Sequence, residues 1–114
     1  MSNQMTQPDY RHSLYDSIVA TAEGVIARSV GVVEAARRFM EIAAELDAWD
    51  DEDLEYFQDI DSQSDAFPLG IAREQWDTAA LVREDHTRVQ FEQSVYAAAV
   101  EHCRSLISRY TSAP

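Results

Sequence analysis

Apolar positions along this chain recur at three- and four-residue steps and nowhere alternate over a useful length. Leu14, Ile18, Ala22, Val25 and Ile26 predict a first helix, from an entry at Pro8-Asp9 to about Arg28. Gly24 inside it costs about 1 kcal/mol against alanine, which a close approach by another helix would offset. Ser29-Val30-Gly31 predicts the turn. Val32, Ala36, Phe39, Ala43 and Leu46, with Val33 and Met40 alongside, form the apolar stripe of a second helix ending near Ala48.

Two later helix starts share one grammar. Trp49-Asp50-x-x-x-Leu54 and Trp76-Asp77-x-x-x-Leu81 each place an aspartate where its carboxylate can accept a free backbone N–H. Each tryptophan and leucine then fall at the positions of a hydrophobic staple. The first start predicts a short helix over about 51–60, and 61–70 reads as a loop. Ile71 to Gln75 has room for one or two helical turns. A long last helix follows Asp77 to about Tyr110, with Asp85 as the place where it admits an interruption. The expected fold is an all-α, single-domain antiparallel bundle of four main helices with a long C-terminal helix. Residues 1–8 read as a tail, 9–110 as the bundle and 111–114 as a frayed end.

On a helical wheel, one arc of the last helix holds Leu81, Val82, Val89, Val95, Tyr96, Ala99, Val100, Cys103, Leu106 and Ile107. Asp85 and Glu92 fall at its centre, with His86 and Gln93 on its flank. An unpaired buried carboxylate is expensive, so both acids call for partners, with Arg37 and Arg73 as the candidates. The competing reading is a polar cleft for a small cationic or polar ligand, making the chain a ligand-binding or sensor module. Seven residues separate the two acids, roughly 10 Å along the axis. That exceeds the spacing of glycosidase carboxylates and precludes a shared metal without a third element.

Charge sharpens the picture. The chain has 114 residues, a formal net charge of −12 and a hydrophobic fraction of 46%, enough for one modest core. Between Arg38 and Arg73 stand eleven acids and no basic residue. The densest part is Asp50-Asp51-Glu52-Asp53-Leu54-Glu55, between Trp49 and Tyr56-Phe57. Such a field repels nucleic acid and anionic membranes and attracts basic partners. The expected partner is a basic protein, docked on Trp49, Asp50, Asp51, Asp53, Glu55, Tyr56 and Asp59. Immunity proteins and antitoxin-type inhibitors are the class that this suggests. A solvated face that only keeps the protein soluble is the plain alternative. Leftover apolar surface continuing through Tyr96 and Tyr110 also admits a homodimer.

Catalytic and metal signatures are missing. His12, His86 and His102 lack a Glu-x-x-His context, and one cysteine cannot build a zinc site or an internal disulfide. No glycine-rich phosphate loop occurs. Asp59, Asp61, Gln63 and Asp65 alternate as in a calcium loop, but Ser64 and Gly70 stand where such a loop needs glycine and glutamate. No enzyme, cofactor or metal is expected. The polar start of the chain does not read as a signal peptide and no stretch is long enough to span a bilayer, so cytoplasmic residence is the default expectation.

Ile60-Asp61-Ser62-Gln63-Ser64-Asp65-Ala66-Phe67-Pro68-Leu69-Gly70 resembles the signature Ile-Asp-Ser-Glu-Thr-Asp-x-Leu-Pro-x-Gly of a family of small uncharacterised bacterial helical proteins. Arg73, Trp76, Ala80-Leu81, Asp85 and Glu92 stand where that pattern continues, while Gln63, Ser64 and Phe67 depart from it. The resemblance implies no activity. It groups Asp61, Ser62, Asp65, Arg73, Asp85 and Glu92 as one polar cluster, with the loop folded over the long helix and Arg73 reaching a carboxylate.

Overall fold

The computed structural model describes residues 7–112 and contains no strand among them. Helix α1 spans Gln7–Ile26, α2 Val32–Leu46 and α3 Glu52–Ser64; a short 3-10 helix covers Gly70–Gln75, and α4 runs over Thr78–Thr111. Residues 1–6 and 113–114, assigned by sequence to the two ends, lie outside the described residues. Successive helices run antiparallel, and the fold is the expected four-helix bundle. Tyr15 meets the ring of Tyr110 midway along α1, and the Tyr96 hydroxyl donates to the carbonyls of Val25 and Ile26 at its C-terminal end. Phe39 of α2 packs on Phe57 of α3 with ring centroids 4.7 Å apart, and both are fully buried. Ile18, Val25, Leu54, Leu106 and Cys103 complete the centre.

Helix ends follow local chemistry. Asp77 caps α4 as expected, accepting from the Ala80 N–H. The cap of α3 is Asp51, not Asp50: its carboxylate accepts from the N–H groups of Asp53 and Leu54. The staple read from Trp49 and Leu54 is therefore one residue out of register, and Trp49 stays 44% exposed. Residues 61–64, expected in a loop, continue α3, because Ile60 and Ser64 are both buried on its inner face. The calcium-like alternation thus lies largely on a helix, whose residues point in different directions. No break occurs at Asp85; α4 is continuous.

Gly24 has a different neighbour from the one expected. The chain leaves α1 through a left-handed Arg28 (φ 63°), with the Ser29 N–H on the Gly24 carbonyl and the Arg28 N–H on that of Val25. This turn lays Val30 back on the helix. A Cβ at position 24 would stand 2.5 Å from Val30 Cγ2. Gly24→Ala is therefore expected to destabilise the fold by about 1–3 kcal/mol despite alanine's better helix propensity, a loss that thermal denaturation would register.

α4 is longer than the bundle. α1 ends level with Tyr96, so the residues from Thr78 to Val95 precede it by roughly 27 Å of helix. The linker 65–77 covers one side of this extension: Phe67 approaches Phe91 at 6.2 Å, and Arg73 reaches Asp85. The other side is open. Val82 is 64% exposed and Val89 42%, whereas sequence periodicity assigned both to the core arc. The arc is real, but among the described residues no helix lies opposite its first half.

Candidate functional site

Two polar assemblies lie on α4, one at each end of the bundle. The first contains the predicted cluster. Arg73 holds Asp85 with two parallel hydrogen bonds of 2.7 and 2.8 Å. The bonding Arg73 keeps the Asp85 carboxyl below its ordinary range despite the opposing effect of desolvation, and the Arg73 guanidinium is raised in turn. Arg88, on the next turn, stands 3.6 Å from Asp85 and 2.9 Å from Glu92. Its spacing of three and four residues from those acids is a signal that the sequence carried.

Glu92 does more than form an ion pair. Its Oε2 accepts the backbone N–H of Val33 at 3.0 Å. The N-cap position of α2 is Gly31, which has no capping side chain, so the carboxylate of α4 serves as the cap and meets the positive end of the helix. Glu92 sits so close that a Cβ on Gly31 would lie 2.8 Å from Oε2. Its side chain is only 14% exposed. Asp85 and Glu92 are therefore both engaged internally.

The other predicted members separate. Arg37 does not reach Asp85 or Glu92. It donates to the carbonyls of Ser64 and Phe67, closing the C-terminal end of α3, and stands 3.8 Å from Asp61. Ser62 and Asp65 are exposed and join neither pair. The cluster expected as six residues resolves into the Arg73–Asp85–Arg88–Glu92 row and a separate Arg37–Asp61 contact.

The second assembly divides the acidic run. Asp51 takes both capping bonds of α3, two bonds from Arg109 at 2.9 and 3.2 Å, and the Tyr110 hydroxyl at 2.7 Å. Asp53 receives Ser105, Arg109 and His102 Nδ1, each at 2.7 Å. Tyr56 stacks on the His102 ring at 4.0 Å and donates to the Val95 carbonyl. Desolvation, then Asp51, pushes the Tyr110 hydroxyl well above its ordinary range, and desolvation raises Tyr56. Asp51, Asp53 and Tyr56, all predicted to meet a partner, thus fasten α3 to α4 instead. These contacts span 39 to 59 residues of chain, and no local spacing announces them.

What remains outside is a narrower surface. Asp50, Glu55 and Asp59 are exposed, as is Glu52, which the sequence reading did not single out. Glu52, Glu55 and Asp59 recur at steps of three and four along the outer face of α3. None of the four carries a hydrogen bond or ion pair among the described residues. Exposed Trp49 immediately precedes them.

Cys103 is buried, and desolvation pushes its thiol up to about 12, which keeps it protonated at neutral pH. Among the described residues no group of three or more His, Cys, Asp or Glu side chains is placed to hold a metal ion. No helix there is long and apolar enough to cross a membrane. No protein-family model, curated protein or solved structure matches the chain.

Proposed function

We propose that this chain is a protein-interaction module that docks a basic protein through the outer face of α3. The observation that carries this reading is the division within the acidic run. Asp51 and Asp53 are used in folding, while Asp50, Glu52, Glu55 and Asp59 face solvent with no countercharge among the described residues. Trp49 beside them offers an amphipathic ring of the kind that anchors interfaces. A face so charged draws a basic partner at long range and fixes its orientation. An inhibitor of a basic toxin, in the manner of immunity proteins, fits this surface. A small ligand at Asp85 and Glu92 has less support, because both carboxylates already hold arginines and Glu92 also holds the start of α2.

The test is a pull-down from source lysate at low and high salt, beside a variant with Asp50→Asn, Glu52→Gln, Glu55→Gln and Asp59→Asn. Wild type should retain a basic protein that 0.5 M salt releases, and the variant should bind it at least about tenfold more weakly at unchanged thermal stability. Finding no salt-sensitive basic partner would sink the reading.

A further inference from the structure

The open side of α4 has a composition unlike the rest of the molecule. At 100° per residue, a strip roughly 120° wide runs the length of the helix through Thr78, Val82, His86, Val89, Gln93, Ala97 and Arg104. It carries no carboxylate. The four acids of α4, namely Glu84, Asp85, Glu92 and Glu101, all fall outside it. In a protein with twenty-one acids, this strip is where two copies can touch without opposing carboxylates.

Its relief is two-sided. Val82 stands out, 64% exposed. About ten residues further along lies a cleft of about 190 Å³ between α4 and the α1–α2 turn, lined by Val30, Val89, Gln93, Tyr96 and Arg28. Arg28 caps it, with its guanidinium 3.9 Å above the Tyr96 ring. Glu92 is the one acid in the lining, and both its oxygens are already bonded to Arg88 and Val33. The cleft is too small for a typical ligand pocket, which holds about 300 Å³ or more. It suits a single aliphatic side chain.

We infer that the occupant is a second copy of this chain, in a two-fold antiparallel pairing of the α4 extensions in which Val82 of each enters the cleft of the other. A knob and a hole on one face, roughly 15 Å apart, are what an isologous contact requires, because each partner then supplies both. The axis falls near residue 87, which brings the two His86 positions close together. A stable interface takes about 800 Å² from each partner, roughly a ninth of the 7158 Å² surface of this chain. A single helix face supplies several hundred Å² at most, which fits a reversible dimer at the lower end of that range. This surface lies apart from the α3 acids, so the inference does not depend on the proposed partner.

The two copies still repel through their net charge. Salt screens that repulsion, so dimerisation should strengthen with ionic strength, the opposite of acidic-face docking. Sedimentation equilibrium from about 5 to 500 µM, at 0.05 and 0.5 M salt, should show a monomer–dimer equilibrium favoured by salt. Val82→Glu keeps a good helix former at an exposed position, so the fold should persist while dimer affinity falls at least tenfold. With the native thiol buried, a short bismaleimide should join copies of a His86→Cys variant and leave a Glu55→Cys variant monomeric. A strictly monomeric wild type, a dimer indifferent to Val82→Glu, or linkage through position 55 in place of 86 would each overturn the inference. The four-acid variant should dimerise at least as well as wild type; if its dimer is lost, copies meet through α3 and the pairing is wrong.

Discussion

Glu92→Ala should cost this fold about 2–3 kcal/mol, seen as a fall in Tm of roughly 8–15 °C. The reason is that one carboxylate does two jobs at a largely buried position. It accepts the Val33 N–H at the start of α2, and losing a helix cap costs about 0.5–2 kcal/mol. It also holds Arg88, whose buried Nε has no partner among the described residues. Removing Glu92 leaves that guanidinium with only the longer contact to Asp85, and a poorly satisfied buried charge adds to the loss. Glu92→Gln keeps an acceptor for Val33 without the charge, so it should fall between wild type and alanine. Asp85→Ala should cost less, because the Arg73–Asp85 pair is about one-third exposed and water takes over much of its role. A Glu92→Ala Tm within 2 °C of wild type would remove Glu92 as the clamp between α4 and α2.

That clamp also marks the limit of what spacing along the chain reveals. Asp85 and Glu92 interrupt an apolar arc, and such an interruption requires partners on physical grounds. Arg73 was legible as one partner from its place before Trp76. Arg88 was missed in favour of Arg37, although it lies three and four residues from the two acids on one helix. The backbone N–H of Val33 was not legible. A capping group arriving 59 residues later in the chain leaves only an absence as its trace, a helix beginning at glycine with no side chain to cap it.

The helices themselves were legible because burial of a stripe and 3.6-residue periodicity say the same thing. The failures lie where two signals competed. Polar residues at 61–63 suggested a loop, but Ile60 and Ser64 belong to the buried face of α3, and packing carried the helix on to Ser64. Ser64 satisfies its hydroxyl by donating to the Ile60 carbonyl at 2.6 Å. The spacing from Trp49 to Leu54 pointed to Asp50 as the cap, but capping by Asp51 puts its carboxylate within reach of Arg109 and Tyr110. Val82 and Val89 show the converse. Their periodicity is that of a core face, yet periodicity records only that a face is apolar, and the bundle ends before it can cover them.

Asp51→Ala is expected to be the second large loss, about 2–4 kcal/mol, while Asp50→Ala stays within about 0.5 kcal/mol of wild type. The two residues are neighbours of identical chemistry in the same acidic run, so a difference in their effects isolates environment from charge. The Asp51 side chain is 8% exposed and accepts five hydrogen bonds: two backbone N–H groups of α3, two from Arg109 and one from Tyr110. The cap contributes about 1 kcal/mol. The Tyr110 hydroxyl, packed beside Tyr15, would lose its acceptor, adding about 1–3 kcal/mol. Arg109 is 44% exposed and would turn to water, so its share is small. Asp51→Asn keeps a capping oxygen and an acceptor for Tyr110, and should recover at least half of the loss. Paired urea titrations of the two alanine variants decide the matter. Equal midpoints would mean that Asp51 is as dispensable as Asp50, and the division of the acidic run into folding and docking residues would fail with it. A loss confined to Asp51 leaves the exposed acids with no structural duty, which is the condition that the docking reading needs.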